Sequence, residues 1–234
     1  MKIALIHGVN HQGSTYHIAR MLAEKVGGEI TEFFLPRDFS EFCVACTQCF
    51  RVAEDRCPHH EKRQPITEAM DAADLIILDS PVYVMHATGA MKAFLDHHGY
   101  RFMIHRPEEA MFTKQAVCIA TAAGAGMKST MKDMADSFFH WGIAKTYRYG
   151  VAVRATSWDK VPEKVKASIE KKTDRLAAKI TKRYGKVKPS FTTKAYFLLI
   201  RKIQKNGFNE ADRKYWMEKG WTGKVRPWKL ERLQ

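Results

Sequence analysis

The chain has 234 residues with 45% hydrophobic content, which is enough to bury one large core and leave an extension. No run approaches the roughly 18–20 apolar residues that span a bilayer, and the opening apolar run is too short for a signal peptide. The net charge of +14 belongs to the tail, because residues 160–234 hold 22 Lys/Arg and 7 Asp/Glu, against 17 and 18 in residues 1–159.

Three short runs rich in Ile, Val and Leu predict strands, EITEFFL is a weaker fourth candidate and TYRYGVAV a fifth, and the amphipathic segments between them predict helices. The predicted strands are KIALIHG (2–8), EITEFFL (29–35), LIILDSPVY (75–83), KQAVCIATAA (114–123) and TYRYGVAV (146–153). This alternation predicts an α/β fold with a doubly wound, parallel five-stranded sheet. Because such sheets bind ligands beyond the carboxyl ends of their strands, the loops 8–15, 81–88 and 121–128 become the candidate functional segments.

The first of these loops, GVNHQGST, leads from strand one into a helix. Its small residues let backbone N–H groups converge at a helix N-terminus, which suits a phosphate, and Ser14 and Thr15 add hydroxyl donors. The loop is neither a Walker A loop nor a G-x-G-x-x-G fingerprint. An ordinary strand–helix turn with Ser14 as the N-cap is the alternative interpretation.

The other two loops predict a flat, apolar slot. Pro81-Val82-Tyr83 ends a strand and leads into a helix, and the loop from Thr121 to Thr130 is rich in small residues. Small residues and glycines let a planar ligand approach the backbone closely. A phosphate site beside such a slot matches the shape of flavin mononucleotide (FMN).

Four of the five cysteines lie within CVACTQCFRVAEDRC, residues 43–57, at the spacing C-x2-C-x2-C-x7-C. An odd cysteine count without the spacing of a disulfide scaffold favours reduced thiols and a cytoplasmic location. A tight triplet is typical of thiolates around an iron–sulfur cluster, whereas zinc sites usually pair two C-x2-C knuckles. A [4Fe-4S] cluster, metal-free thiols and zinc all remain open, and His59 and His60 are interpreted as surface residues rather than ligands.

Over residues 1–150 the chain resembles the flavodoxin-like NAD(P)H-dependent FMN reductases, and within them the iron–sulfur flavoproteins. The resemblance rests on the phosphate loop 8–15, on Ser80-Pro81-Val82-Tyr83-Val84 with the helix Lys92-Ala93-Phe94-Leu95-Asp96, and on the Gly124 loop. Val9 and His11 stand where the family usually has Ser and Arg, and two alanines, Ala122 and Ala123, replace glycines.

The resemblance implies a role for each matching position. Those expected to hold the FMN phosphate are His11, Gly13, Ser14 and Thr15; those expected at the ring are Pro81, Val82, Tyr83, Val84, Ala122, Ala123 and Gly124; the expected cluster ligands are Cys43, Cys46, Cys49 and Cys57. It further implies hydride transfer from NAD(P)H to FMN and then to a small-molecule or protein acceptor. The alternative is an electron carrier that takes electrons from a ferredoxin-like donor through a cluster.

The sequence divides into a predicted FMN-binding domain, residues 1–158, and a basic helical C-terminal extension, residues 159–234. Apolar stripes in the extension need a surface to cover them; their members are Ala195, Phe197, Leu198, Ile200, Tyr215, Trp216 and Trp221. We therefore expect the extension to serve assembly into a homodimer or homotetramer, with peripheral membrane contact as the alternative. Nucleic-acid binding is not expected, since no recognised motif accompanies the basic residues.

Overall fold

A computed structural model describes residues 1–207 and 209–229 as a five-stranded parallel sheet flanked by helices. The strand order is β2-β1-β3-β4-β5, the flavodoxin-like order. The strands are β1 Lys2–His7, β2 Glu29–Phe34, β3 Leu75–Pro81, β4 Gln115–Ala122 and β5 Lys145–Ala152. The predicted doubly wound α/β fold is therefore confirmed.

Helices connect the strands and form the extension. Their bounds are α1 Ser14–Val26, α2 Gln48–Arg51, α3 His60–Ala72, α4 Gly89–Asp96, α5 Met127–His140, α6 Glu163–Lys182, α7 Phe191–Asn206 and α8 Glu210–Glu218. None of the described helices is long and apolar enough to cross a membrane.

The two faces of the sheet bury separate cores, as the alternation of side chains along a strand requires. From β1, Ile3 and Leu5 enter the core that α1 and α6 cover, whereas Ala4 and Ile6 enter the core of α3, α4 and α5. Burial on both faces explains why these strands read as continuous apolar runs.

Helix α6 packs directly on this sheet domain, although the sequence places it in the extension. Its Ile169 and Ile180 are fully buried in the same core as Ile18 and Leu22 of α1. The division at residue 158/159 stays a prediction, and α6 is as closely packed as the helices before it.

Helices α7 and α8 close a third apolar cluster against the segment between α4 and β4. Four stripe residues, Phe197, Ile200, Trp216 and Trp221, are buried there with Met103 and Phe112. These side chains are covered within the chain itself and do not require a second copy. By contrast, Leu198 of the same stripe remains 45% exposed.

A buried ion pair joins α8 to the cysteine loop. Asp212 is fully buried and accepts a hydrogen bond from Nη1 of Arg106. The same guanidinium donates to the carbonyl oxygens of Cys49 and Phe50, and Asn209 Nδ2 donates to Phe50 O at 3.2 Å. The extension therefore braces the loop that carries the cysteines.

We predict that Asp212→Asn destabilises the protein by about 3 kcal/mol, because it leaves the buried Arg106 charge with only the half-exposed Glu54 carboxylate, 3.5 Å away. The matched control is Glu218→Gln in the same helix, whose ion pair with Lys214 is exposed and 4.0 Å long, and which should cost less than about 1 kcal/mol. Urea unfolding of both variants measures the difference. Equal losses would show that the buried pair does not brace the extension.

Candidate functional site

The loops that follow β1, β3 and β4 meet at one cleft, as the carboxyl-end rule predicts. Nine of the predicted flavin-site residues line it, namely His11, Gly13, Ser14, Thr15, Pro81, Val82, Tyr83, Ala122 and Ala123. Val84 and Gly124 do not line this cleft. The sequence missed Thr121, Val153, Ala155 and Thr156, of which the last three follow β5 at the same sheet edge.

Close backbone contacts fix the first loop on the end of β3. Gly8 N donates to Asp79 O at 2.8 Å, and the Thr88 hydroxyl donates to Gly8 O at 2.6 Å. A Cβ at position 8 would lie 2.8 Å from Asp79 O, so only glycine allows this approach. Thr88 also caps α4 by accepting from Met91 N, which ties the start of that helix to the loop.

A hydroxyl pair and a backbone bond tie the third loop to the other two. The Thr15 and Thr121 Oγ1 atoms lie 2.5 Å apart, and Val82 N donates to Thr121 O at 2.8 Å. Thr15 and Thr121 are both buried. The three loops therefore form one connected unit around the cleft.

Helix α1 points its N-terminus into this cleft. The helix begins at Ser14, and its N-cap is Gly13, which makes no side-chain capping bond, so Ser14 is not the N-cap that the alternative interpretation required. The first amides of a helix have no partner within it and carry a partial positive charge. The buried Ser14 and Thr15 stand in that first turn, an arrangement that fits a phosphate.

The loop after β3, which we call the ring loop because residues 81–84 are expected at the flavin ring, forms a tight turn with two central residues. Tyr83 and His86 exchange backbone hydrogen bonds of 2.9 and 3.0 Å, and Val84 and Met85 between them adopt φ of 47° and 69°. Non-glycine residues in this left-handed region cost about 1–3 kcal/mol each, which marks a functional candidate. Val84 is 96% exposed and Tyr83 is 57% exposed, so the turn projects beside the cleft.

Helix α5 holds this turn in place. Asp133 accepts from Ala87 N at 3.1 Å and lies 3.0 Å from His86 Nδ1, and the Ser129 hydroxyl donates to Met85 O. Asp133 therefore orients the exposed His86 imidazole beside the cleft.

A buried ionisable cluster lies next to the first loop. His7 Nδ1 is 2.5 Å from Asp79 Oδ2, and His7 Nε2 is 2.9 Å from Glu32 Oε1. Burial alone would lower the pKa of His7, but the carboxylates of Asp79 and Glu32 outweigh it and raise that pKa, while burial raises the pKa of Asp79. The sequence analysis did not identify this cluster. The signal for it was a polar residue within each of two apolar strands, His7 in KIALIH and Asp79 in LIILDSP.

The cysteine loop follows β2 and carries four of the chain's thiols. Burial raises the pKa of Cys49 most, and the neighbouring thiols of Cys57, Cys43 and Cys46 raise it further. Ala45 and Thr47, which separate the first three cysteines, have φ of 53° and 59°. A left-handed residue in each gap turns the backbone, which suits thiols that converge on one centre. All four cysteines are free.

A buried cation lies beside these thiols. Arg63 is fully buried, donates to His97 O at 3.0 Å and to Glu54 O at 3.2 Å, and lies over the Tyr100 ring. Its positive charge opposes the rise in the Cys49 pKa. Uncompensated buried charge is costly, so the arrangement favours an anionic group in the loop.

A larger cleft of about 920 Å³ lies at the opposite end of the sheet, between Asp74, Gln115 and the 184–188 turn. Asp74 and Gln115 stand at the amino ends of β3 and β4. Parallel sheets place their ligands at the other end, so the smaller cleft is the candidate site.

Comparison with known proteins gives relatives of one kind. The chain is 24% identical over 204 residues to an iron–sulfur flavoprotein of Archaeoglobus fulgidus, covering 84% of this chain and 87% of that one. It is 33% identical over 75 residues to an iron–sulfur flavoprotein of Methanocaldococcus jannaschii, covering 32% of this chain and 37% of the relative. The second match therefore spans little more than a third of that relative.

Solved structures and a family model agree with these relatives. A flavone reductase superposes with a TM-score of 0.57 at 15% identity, covering 80% of this chain and 64% of its own, which supports the fold. The model of the family described as NADPH-dependent FMN reductase matches residues 1–156. The chain therefore belongs to the NADPH-dependent FMN reductase family.

Proposed function

We propose that the chain binds FMN in the cleft at the carboxyl edge of the sheet and transfers electrons from NAD(P)H through it to a small-molecule or protein acceptor. One observation carries the proposal: the N-terminus of α1 and a backbone-lined slot open into the same cleft. That pair of features suits a molecule with an anionic tail and a planar ring.

The phosphate end falls to the first turn of α1. Ser14 and Thr15 donate hydroxyl hydrogen bonds alongside the free amides of that turn, and His11 lies at the rim. The Thr15 hydroxyl already contacts Thr121, but a hydroxyl both donates and accepts, so it serves both partners.

The ring end falls to the segments 81–84 and 122–124. Pro81, Val82, Ala122 and Ala123 line the cleft with small or apolar groups, which exclude water from a planar ring. We place Val84 and Gly124 at the margin of the cleft, where they would contact the edge of the ring. FMN supplies the hydride chemistry when bound, and these residues supply orientation. Asp133 holds His86 where it can orient a substrate.

We predict that Ser14→Ala combined with Thr15→Ala weakens FMN binding about tenfold to a hundredfold, because two hydrogen bonds to a charged phosphate are lost. Thr192→Ala, an exposed position on α7, is the control and should bind FMN normally. Titration of apo-protein with FMN, followed by flavin fluorescence, measures both variants. Unchanged affinity in the double variant would place the phosphate elsewhere.

The electron donor separates two candidate functions. The family match favours direct oxidation of NAD(P)H, whereas the cysteine loop and the iron–sulfur relatives favour a carrier fed by a ferredoxin-like donor. We infer that the chain oxidises the nicotinamide itself, since the family model spans the whole sheet domain.

Anaerobic mixing of the FMN-loaded protein with NADH or NADPH tests this inference. We predict flavin bleaching within the turnover time of an ordinary enzyme, on the order of a second or less. A flavin that stays oxidised with both nucleotides but is bleached by a reduced ferredoxin-type protein would identify the carrier instead.

We further propose that Cys43, Cys46, Cys49 and Cys57 hold a [4Fe-4S] cluster. The left-handed turns at Ala45 and Thr47 and the raised pKa of Cys49, caused first by burial and then by the other three thiols, support the proposal, and the buried Arg63 supports an anionic centre. Such a cluster supplies one-electron transfer when bound. The chain's own part is to position the thiols, through Arg106 at Cys49 O and Arg63 at Glu54 O.

Anaerobically purified protein should contain about four irons and four sulfides per chain. Cys43→Ala should abolish this content, whereas Cys118→Ala should retain it. Cys118 is the matched control because it is fully buried in β4, where burial raises its thiol pKa and keeps it protonated. Iron-free wild-type protein, or equal loss in both variants, would contradict the cluster.

Assembly and location complete the proposal. The projecting turn at Tyr83, Val84 and Met85 leaves apolar surface beside the cleft, which supports a homodimer or homotetramer that covers it. The exposed Phe191, Leu198 and Leu199 of the basic extension are the surface that peripheral membrane contact would use. Free thiols at all five cysteines support a cytoplasmic protein.

A further inference from the structure

Two histidines that no cluster motif includes lie against Cys57. Cys57 Sγ, a ring nitrogen of His59 and a ring nitrogen of His97 all lie within 4.8 Å of one another. His97 is buried and the other two are partly buried. His59 precedes α3 and His97 follows α4, so the two helices hold the donors from opposite sides.

The hydrogen bonds fix which atoms face one another. His97 Nδ1 lies 2.8 Å from Ala93 O, and since a carbonyl only accepts, Nδ1 carries the proton. In the neutral ring, His97 Nε2 therefore presents a lone pair, 2.9 Å from His59 Nδ1. The far nitrogen of His59, Nε2, lies 3.7 Å from Glu41 Oε2.

This pattern matches the surroundings of metal-binding histidines. Such a histidine typically donates its other N–H to a backbone carbonyl or a carboxylate, which fixes the ring and its tautomer. Ala93 O does this for His97, and Glu41 stands in the carboxylate position for His59. The apo His59–His97 hydrogen bond holds both nitrogens near one point, and an ion bound there would shift the His59 proton from Nδ1 to Nε2, toward Glu41.

We propose that Cys57 Sγ, His59 Nδ1 and His97 Nε2 form a site for one zinc-type divalent ion, occupied when no cluster holds Cys57. One thiolate and two imidazoles suit Zn²⁺ and leave its fourth tetrahedral position open for water. Zinc bonds of about 2.0–2.3 Å place the donors about 3.3–3.7 Å apart, so the two ring nitrogens, 2.9 Å apart, separate slightly and the sulfur, within 4.8 Å of both, needs only a small shift. Binding releases the Cys57 thiol proton, while the His59 proton moves from Nδ1 to Nε2, which faces Glu41, so both imidazoles stay neutral.

This site competes with the cluster of the proposed function only at Cys57. In the cluster-free chain the ion ties the end of the cysteine loop to the C-terminus of α4, whose N-terminus is capped by Thr88 at the flavin cleft. Only the competition with a cluster rests on the proposed function. The site itself rests on the contacts among Cys57, His59 and His97.

Cobalt(II) is the probe, since tetrahedral thiolate-bound Co²⁺ absorbs visible light at longer wavelengths than a flavin. Full-length, FMN-loaded protein is stripped of iron by a chelator, desalted and titrated with Co²⁺. We expect one cobalt per chain. Cys57→Ser, His59→Gln and His97→Gln should each raise the cobalt dissociation constant at least about a hundredfold.

Two matched controls separate this site from a four-cysteine site. Cys43→Ser removes a proposed cluster ligand but should leave cobalt affinity unchanged, and His60→Gln alters the neighbouring histidine with the same expected outcome. Far-UV circular dichroism of every variant verifies folding. If the variant at the buried His97 does not fold, the cobalt affinity of His59→Gln tests the site, because His59 is partly exposed.

Cobalt binding that survives His59→Gln but disappears in Cys43→Ser would overturn the proposal, as would wild-type protein that binds no cobalt. The outcome is independent of the cluster. Anaerobic protein that contains no iron but binds cobalt at the triad would contradict the cluster and support this site. Protein that contains the cluster but binds no cobalt after iron removal would support the cluster and contradict this site.

Discussion

The parallel pairing of β1 with β3 and of β3 with β4 is the constraint on which the candidate cleft depends. In this register His7 lies beside Asp79 and Pro81 beside Thr121, so the chain leaves three neighbouring strands at nearly the same level. Gly8, the first residue after β1, therefore donates its amide to Asp79 O. Only glycine fits there, because a Cβ would lie 2.8 Å from that oxygen. Loops that would be unrelated along the sequence thereby become three walls of one site.

A second constraint acts on the cysteine loop, which has little regular structure of its own. Its backbone carbonyls are held from outside, by Arg63 at Glu54 O and by Arg106 at Cys49 O. Arg106 in turn needs the buried carboxylate of Asp212 from the extension. The C-terminal helices therefore contribute to a site more than a hundred residues earlier in the chain, without supplying a ligand to it.

The sequence predicted the features that follow from hydrophobic periodicity and from short local motifs. Three apolar runs and two weaker segments marked the five strands, the carboxyl-end rule selected the loops, and the family resemblance named the nine residues that line the cleft. The sequence did not predict the turn at Val84 and Met85, because that left-handed turn lacks the glycine or asparagine that usually announces one. It could not pair His59 with His97, which lie 38 residues apart and meet only because α3 and α4 pack on the same face. Nor could it tell that Trp216 and Trp221 are covered by their own chain, since an apolar stripe does not reveal which surface covers it.

Helix α4 links the two candidate sites physically. Its cap, Thr88, is bonded to the Gly8 loop, and the residue after its last turn, His97, faces Cys57. Eight helical residues span about 12 Å, so the flavin cleft and the cysteine loop stand at opposite ends of one short rigid element. The His97 carbonyl is also the acceptor for the buried Arg63, which fixes that end of the helix against the cysteine loop. One short helix therefore joins the contacts at Cys57 to the contacts that hold the Gly8 loop.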